Sequence, residues 1–135
     1  MKSHSRHARK LDRKRVLICL IMFFALLPVF SYLHEAGHAL VCIADGNEAE
    51  ISVNFNGGTT LCHGDISNPF PYKISGGLLA GIIGTTIGIA LFRWKIPFIA
   101  LTTIGAGHLV NAVIEAFADS YFTYGGEWSA ILAFI

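Results

Sequence analysis

His34, Glu35 and His38 stand at positions i, i+1 and i+4 of the run His34-Glu35-Ala36-Gly37-His38. On a helix, i and i+4 stack on one face, so both imidazoles can reach a single metal ion. Glu35 projects about 100° away from His34, within reach of a water held by that ion. Two histidine ligands, a catalytic carboxylate and a third ligand from elsewhere make up the pattern of a zinc hydrolase. The expected cofactor is one zinc ion, and Glu35 is the expected catalytic base. The alternative is a polar network between helices that holds no metal.

The elements around this motif are apolar. Val16 to Phe30 and Ala39 to Ala44 carry almost no polar side chains, and ionisable groups inside such a stretch are costly and usually functional. The 135 residues, 53% hydrophobic and 14% charged, are enough for one domain and fit an integral membrane protein. A net charge of +1 conceals an asymmetry: Lys2, Arg6, Arg9, Lys10, Arg13, Lys14 and Arg15 crowd the start, and only Lys73, Arg93 and Lys95 follow. Beside a membrane span this is a topology signal and a contact for anionic lipid headgroups, so lipid is an expected partner and nucleic acid is not. The three cysteines are odd in number and lack metal-type spacing, which implies no disulfide framework. Cys42 continues the His34/His38 face but lies about 12 Å along the axis from His34, too far to share its ion. Cys19 and Cys42 therefore read as packing residues.

Residues 1–15 read as a disordered basic tail, and 16–135 as a single membrane-embedded domain. No small-residue cleavage site follows Leu27, so an uncleaved span is expected over 16–44, kinked at Pro28 and ended by Asp45-Gly46. Ile51 to Phe55 alternates, Asn56-Gly57-Gly58 is a turn signal, and Thr59 to Cys62 can return, giving a β-hairpin over about 50–62. Its edge is either a strand-addition site for an extended substrate or a plain connection. Cys62-His63 reads as a solvent-facing pair, and a loop follows through Asn68-Pro69 and Pro71. A second span over 75–92 carries Gly76, Gly77, Gly81, Gly84 and Gly88, small residues that let helices approach closely in lipid. Arg93-Trp94-Lys95 is an interfacial turn, and the third span covers 96–122, with Tyr121, Tyr124 and Trp128 as an aromatic belt. Trp128 to Ile135 is apolar but too short to cross. The expected fold is a membrane all-α core of about three transmembrane helices with a short β-hairpin after the first.

His108, Asn111, Glu115 and Asp119 recur every three or four residues and so share one face of the third span. Spans one and three run in the same direction, so depths compare. At ~1.5 Å per residue, His34 and His38 lie roughly 27–33 Å from Val16, Glu115 and Asp119 roughly 28–35 Å from Ile96, and His108 only about 18 Å. The third ligand is then a carboxylate, Asp119 or Glu115, and His108 supports the ligands from behind.

The segment resembles the site-2 protease family of intramembrane zinc metalloproteases over roughly residues 30–120. The matching residues are His34-Glu35-Ala36-Gly37-His38-Ala39, Gly46, Glu50, Ile51 to Gly57, and Gly76-Gly77-Leu78-Leu79-Ala80. Asn111 and Asp119 have the spacing of that family's Asn-x-x-Pro-x-x-x-Leu-Asp-Gly motif, with Ile114, Ala118 and Ser120 in place of Pro, Leu and Gly. The resemblance implies zinc held by His34, His38 and Asp119, with Asn111 on the substrate backbone or the oxyanion. Ile114 to Asp119 is also similar to the Glu-x-x-x-Asp helix of thermolysin-type enzymes, in which the Glu is the ligand. The membrane setting favours Asp119.

The activity so implied is hydrolysis of peptide bonds in transmembrane protein substrates. The alternative is a non-catalytic metal-binding or scaffold subunit that assembles with other membrane proteins. Charge places the N-terminus in the cytoplasm and Asp45, Glu48, Glu50 and Asp65 on the other side, whereas the family usually has its motif nearer the cytoplasm.

Overall fold

The computed structural model describes residues 13–54 and 57–117. The described residues form three helices, α1 (Arg13–Ala44), α2 (Pro69–Ala90) and α3 (Lys95–Phe117), and an antiparallel hairpin, β1 (Glu48–Asn54) and β2 (Gly57–His63), which follows α1 and packs on it. All three helices are long and apolar enough to cross a membrane. Asp119, Tyr121, Tyr124, Trp128 and most of the basic tail lie outside the described residues.

The distribution of apolar side chains is that of a bundle with an apolar exterior. Phe30, Ala80, Leu101 and Ile104 form a small core, while Phe24, Ile82, Phe92 and Ile99 are each more than half exposed. Burial is concentrated instead in small residues. Gly76, Gly77, Gly81, Gly84 and Gly88 are the buried positions of α2 along with Ala80, and α2 packs on both α1 and α3. In lipid, where apolar side chains gain little by leaving solvent, close backbone approach is what holds helices together. At Gly77 an added Cβ would stand 2.6 Å from the His108 carbonyl oxygen and 2.7 Å from the Ala112 nitrogen, both backbone atoms of α3.

Helix ends follow from local chemistry. The α1 carbonyls are closed by Asn47 N–H on Cys42 O at 3.1 Å and Gly46 N–H on Ile43 O at 2.9 Å, with Gly46 at φ 84°. This pair of bonds is the Schellman arrangement, which needs a left-handed residue after the helix. α2 starts six residues before the expected Ser75. Asn68 caps it, accepting from Phe70 N–H at 3.1 Å, and Pro69 fills the first helical position. The stretch expected as loop is therefore helix, because a proline costs no hydrogen bond in a first turn. α1 runs unbroken through Pro28.

The hairpin pairs Asn54 with Gly57 and Val53 with Gly58, so both glycines belong to β2 rather than to the turn. Contrary to expectation, Cys42 and Cys62 form a disulfide, with Cα atoms 5.8 Å apart. Cys42 is not a mere packing residue, and Cys62 is not a free partner of His63. Cysteine spacing could not disclose this bond, because a helix face and a strand face meet only after the hairpin folds back onto α1.

Two glycines on neighbouring helices separate close packing from helix propensity. Gly77→Ala is expected to lower stability by about 1–3 kcal/mol through overpacking. Gly107→Ala, where a Cβ meets nothing within 4 Å, is expected to be neutral or to stabilise by up to about 1 kcal/mol. Equilibrium unfolding of both variants in mixed micelles checks the pair; equal effects would contradict the packing account.

Candidate metal centre

α1 and α3 run in the same direction through the bundle. At ~1.5 Å per residue, His34 lies roughly 32 Å along α1 from Arg13, and Glu115 roughly 30 Å along α3 from Lys95. Three donor atoms meet at that level: His34 Nε2, His38 Nε2 and Glu115 Oε1. His34 Nε2 is 3.1 Å from His38 Nε2 and 3.4 Å from Glu115 Oε1. Among the described residues, this is the group of histidines, cysteines and carboxylates that could hold a metal ion.

Tetrahedral ligands at about 2.0–2.1 Å from zinc stand about 3.3–3.4 Å from each other. The two spacings bracket that edge length. The His34 Nδ1 and Glu115 Oε2 atoms are buried without a hydrogen-bond partner, so the polar groups do not fully satisfy one another. The donor set and spacing fit a divalent ion with one position left open.

Two of the three candidate ligands, His38 and Glu115, are oriented by a hydrogen-bonded neighbour. His38 Nδ1 donates to the Tyr72 carbonyl at 2.7 Å, which leaves Nε2 bare to bind. Ser75 Oγ donates to the same carbonyl at 2.8 Å. Tyr72 sits in the first turn of α2, in the segment expected as loop, and Ser75 one turn on, where the span was expected to begin, so these supports were not visible in the sequence. Asn111 Nδ2 donates to Glu115 Oε1 at 2.8 Å across one helical turn. The amide expected at the substrate or oxyanion is engaged here on the carboxylate. His108 packs its ring 5.4 Å from that of His34 and stacks on Phe30 at 6.0 Å, outside the converging donors.

Gly76 makes the centre possible. An added Cβ there would collide with His38 Nε2 and would stand 2.8 Å from His34 Nε2. The imidazoles therefore occupy the space that a side chain on α2 would fill.

Glu35 is turned toward the hairpin. Its carboxylate Oε2 lies 2.8 Å from Thr60 Oγ1, and its carbonyl oxygen lies 2.9 Å from the same hydroxyl. Gly58 closes over it: an added Cβ would stand 2.5 Å from Glu35 Cγ. Glu35 is 8% exposed and His34 7%. Neither Thr60 nor Gly58 carried a signal by itself; their alternation with Cys62 along one strand face was the available clue.

Comparison with family models, with curated proteins and with solved structures finds no match for this chain.

The third ligand is open to direct measurement. Glu115→Ala is expected to lose stoichiometric metal, and Asn111→Ala to lower zinc affinity by about 10- to 100-fold. Metal analysis with competitive chelator titration reads both. Full metal retention by Glu115→Ala together with loss in Asp119→Ala would transfer the ligand role to Asp119.

Proposed function

We propose that this chain is an intramembrane zinc metalloprotease similar to the site-2 proteases, cleaving peptide bonds of transmembrane protein substrates. The observation that carries the reading is the convergence of His34, His38 and Glu115, whose donor atoms all lie within 4.8 Å of one another, next in sequence to a buried Glu35. The ligand set so read has Glu115 in the place that resemblance gave to Asp119. His34, His38 and Glu115 would hold the zinc, whose chemistry there would be to lower the pKa of a water and polarise the scissile carbonyl.

The chain's own residues do the rest. Thr60 holds Glu35 Oε2 and the carboxylate rests against Gly58; in this reading Glu35 takes the proton of the attacking water and delivers it to the leaving amine. Asn111 and the Tyr72 carbonyl keep Glu115 and His38 turned inward. Exposed apolar surface on all three helices leaves the bundle in contact with lipid, through which a substrate helix arrives. Peptide bonds inside a helix are shielded by their own hydrogen bonds, so the substrate must unwind locally before attack.

The N-terminus faces the cytoplasm in this reading, since seven of the ten lysines and arginines fall within the first fifteen residues. A Cys42–Cys62 bridge on the hairpin side agrees, because disulfides persist outside the reducing cytosol. A non-catalytic metal-binding or scaffold subunit is the second reading. The 3.1 Å approach of two Nε2 atoms favours it to the extent that one proton can bridge them without metal.

Glu35→Gln is expected to retain zinc and lose cleavage of a co-expressed single-span substrate, by at least about 100-fold. Retained cleavage would remove Glu35 from the mechanism. No cleavage by a zinc-loaded wild type, across a panel of single-span substrates, would favour the scaffold subunit. A reporter inserted after Asn56 is expected to be active on the extracytoplasmic side; cytoplasmic activity would reverse the orientation.

A further inference from the structure

The hairpin does more than connect α1 to α2. Side chains alternate across a strand, so Gly58, Thr60 and Cys62 share one face of β2. That face lies on α1 at two separate levels. Gly58 and Thr60 meet Glu35, while Cys62 is bonded to Cys42, seven residues and two helical turns further on. Strand and helix therefore run side by side in the same direction, with a covalent tie at one end and the Glu35 contact at the other. The Tyr72 hydroxyl, donating to the Thr60 carbonyl at 3.4 Å, adds a tie from α2.

We infer that Thr60 is a positioning residue for the Glu35 carboxylate, and that the Cys42–Cys62 bridge clamps the strand that carries it. The inference rests on the hydrolase reading and extends it to how the base is aimed. A glutamate side chain has three rotatable bonds, and its carboxylate is useful only when it faces the water it deprotonates. The metal ligands do not fix it, because Glu35 points off their face of α1. The Thr60 hydroxyl does, its one proton shared between Oε2 at 2.8 Å and the Glu35 carbonyl oxygen at 2.9 Å, so that the carboxylate is drawn back against its own backbone. Gly58 removes the side chain that would otherwise push the carboxylate aside. A two-stranded hairpin is marginally stable alone, so without the bridge the strand that holds Thr60 is anchored far less firmly. Reduction by a dithiol converts the bridge to two thiols as the dithiol closes to its cyclic disulfide, and frees the strand.

The test uses the full chain, zinc-loaded in detergent micelles, as wild type, Thr60→Ser, Thr60→Val and the double variant Cys42→Ala/Cys62→Ala. Zinc content, affinity for a peptide hydroxamate whose oxygen proton Glu35 accepts, and kcat and KM on a single-span substrate are measured together. Thr60→Val is expected to keep its zinc, bind the hydroxamate about tenfold more weakly, and lose about 10- to 100-fold in kcat at unchanged KM. Thr60→Ser, which keeps the hydroxyl, is expected to stay within about threefold of wild type on every readout. The double variant, and wild type treated with dithiothreitol, are expected to follow Thr60→Val. Hydroxamate binding equal in Thr60→Val and wild type, or equal losses in Thr60→Ser and Thr60→Val, would overturn the inference. So would loss of zinc from Thr60→Val, which would make the hydroxyl a structural tie. Cleavage that ignores Thr60 would leave the protease reading standing, whereas hydroxamate binding that depends on Thr60 without any cleavage would do the opposite.

Discussion

Two imidazoles and a carboxylate enclosed between apolar helices set the terms for this bundle. His34 is buried and the Glu115 side chain is 26% exposed, and a carboxylate set between apolar helices without a counter-charge is costly. His34 and His38 cannot fully answer that need as neutral rings. Their Nε2 atoms face each other and Glu115, while His34 Nδ1 and Glu115 Oε2 find no partner. A divalent cation at the meeting point of the three donors would resolve the imbalance, by neutralising Glu115 and replacing the proton that otherwise lies between the two Nε2 atoms. That need explains why the ligands' neighbours are so specific: Tyr72 takes the far proton of His38, and Asn111 turns Glu115 inward.

Bringing three ligands from two helices together depends on what α2 leaves out. Helices with bulky facing residues stand too far apart for short side chains to meet, and packing through glycine brings them closer. Gly76 provides room for the imidazoles and Gly77 lets α3 approach from the other side, so adjacent positions on α2 set both distances. The hairpin packs on α1, where it covers Glu35. Its inward face is formed by Ala49, Ile51 and Val53 on β1 opposite Cys62, Thr60 and Gly58 on β2, while Thr59, Leu61 and His63 and the alternate residues of β1 are exposed.

Much of this was legible in the residues. The apolar runs, the glycine spacing and the i, i+4 histidines gave three long helices, a hairpin after the first, and the level at which a carboxylate of the third meets the motif. What failed was non-local or masked by local chemistry. Asn68-Pro69 looks like a loop signal, yet the same pair is a cap and a first turn, so the start of α2 and the Tyr72 and Ser75 contacts went unseen. Cys42 and Cys62 are separated by a helix end and a whole strand, and only the docked hairpin brings them within bonding range. Glu115 and Asp119 are four positions apart in the sequence, a spacing no larger than the uncertainty in aligning two helices by their ends. Glu115 reaches the histidines, and Asp119 lies outside the described residues.

X-ray absorption at the zinc edge of the purified, zinc-loaded full chain tests the central claim most directly. Two imidazole nitrogens, a carboxylate oxygen and one further light atom, all at about 2.0–2.1 Å, are predicted. Sulfur scatterers near about 2.3 Å, a shell without imidazole, or zinc bound in less than stoichiometric amount would contradict it.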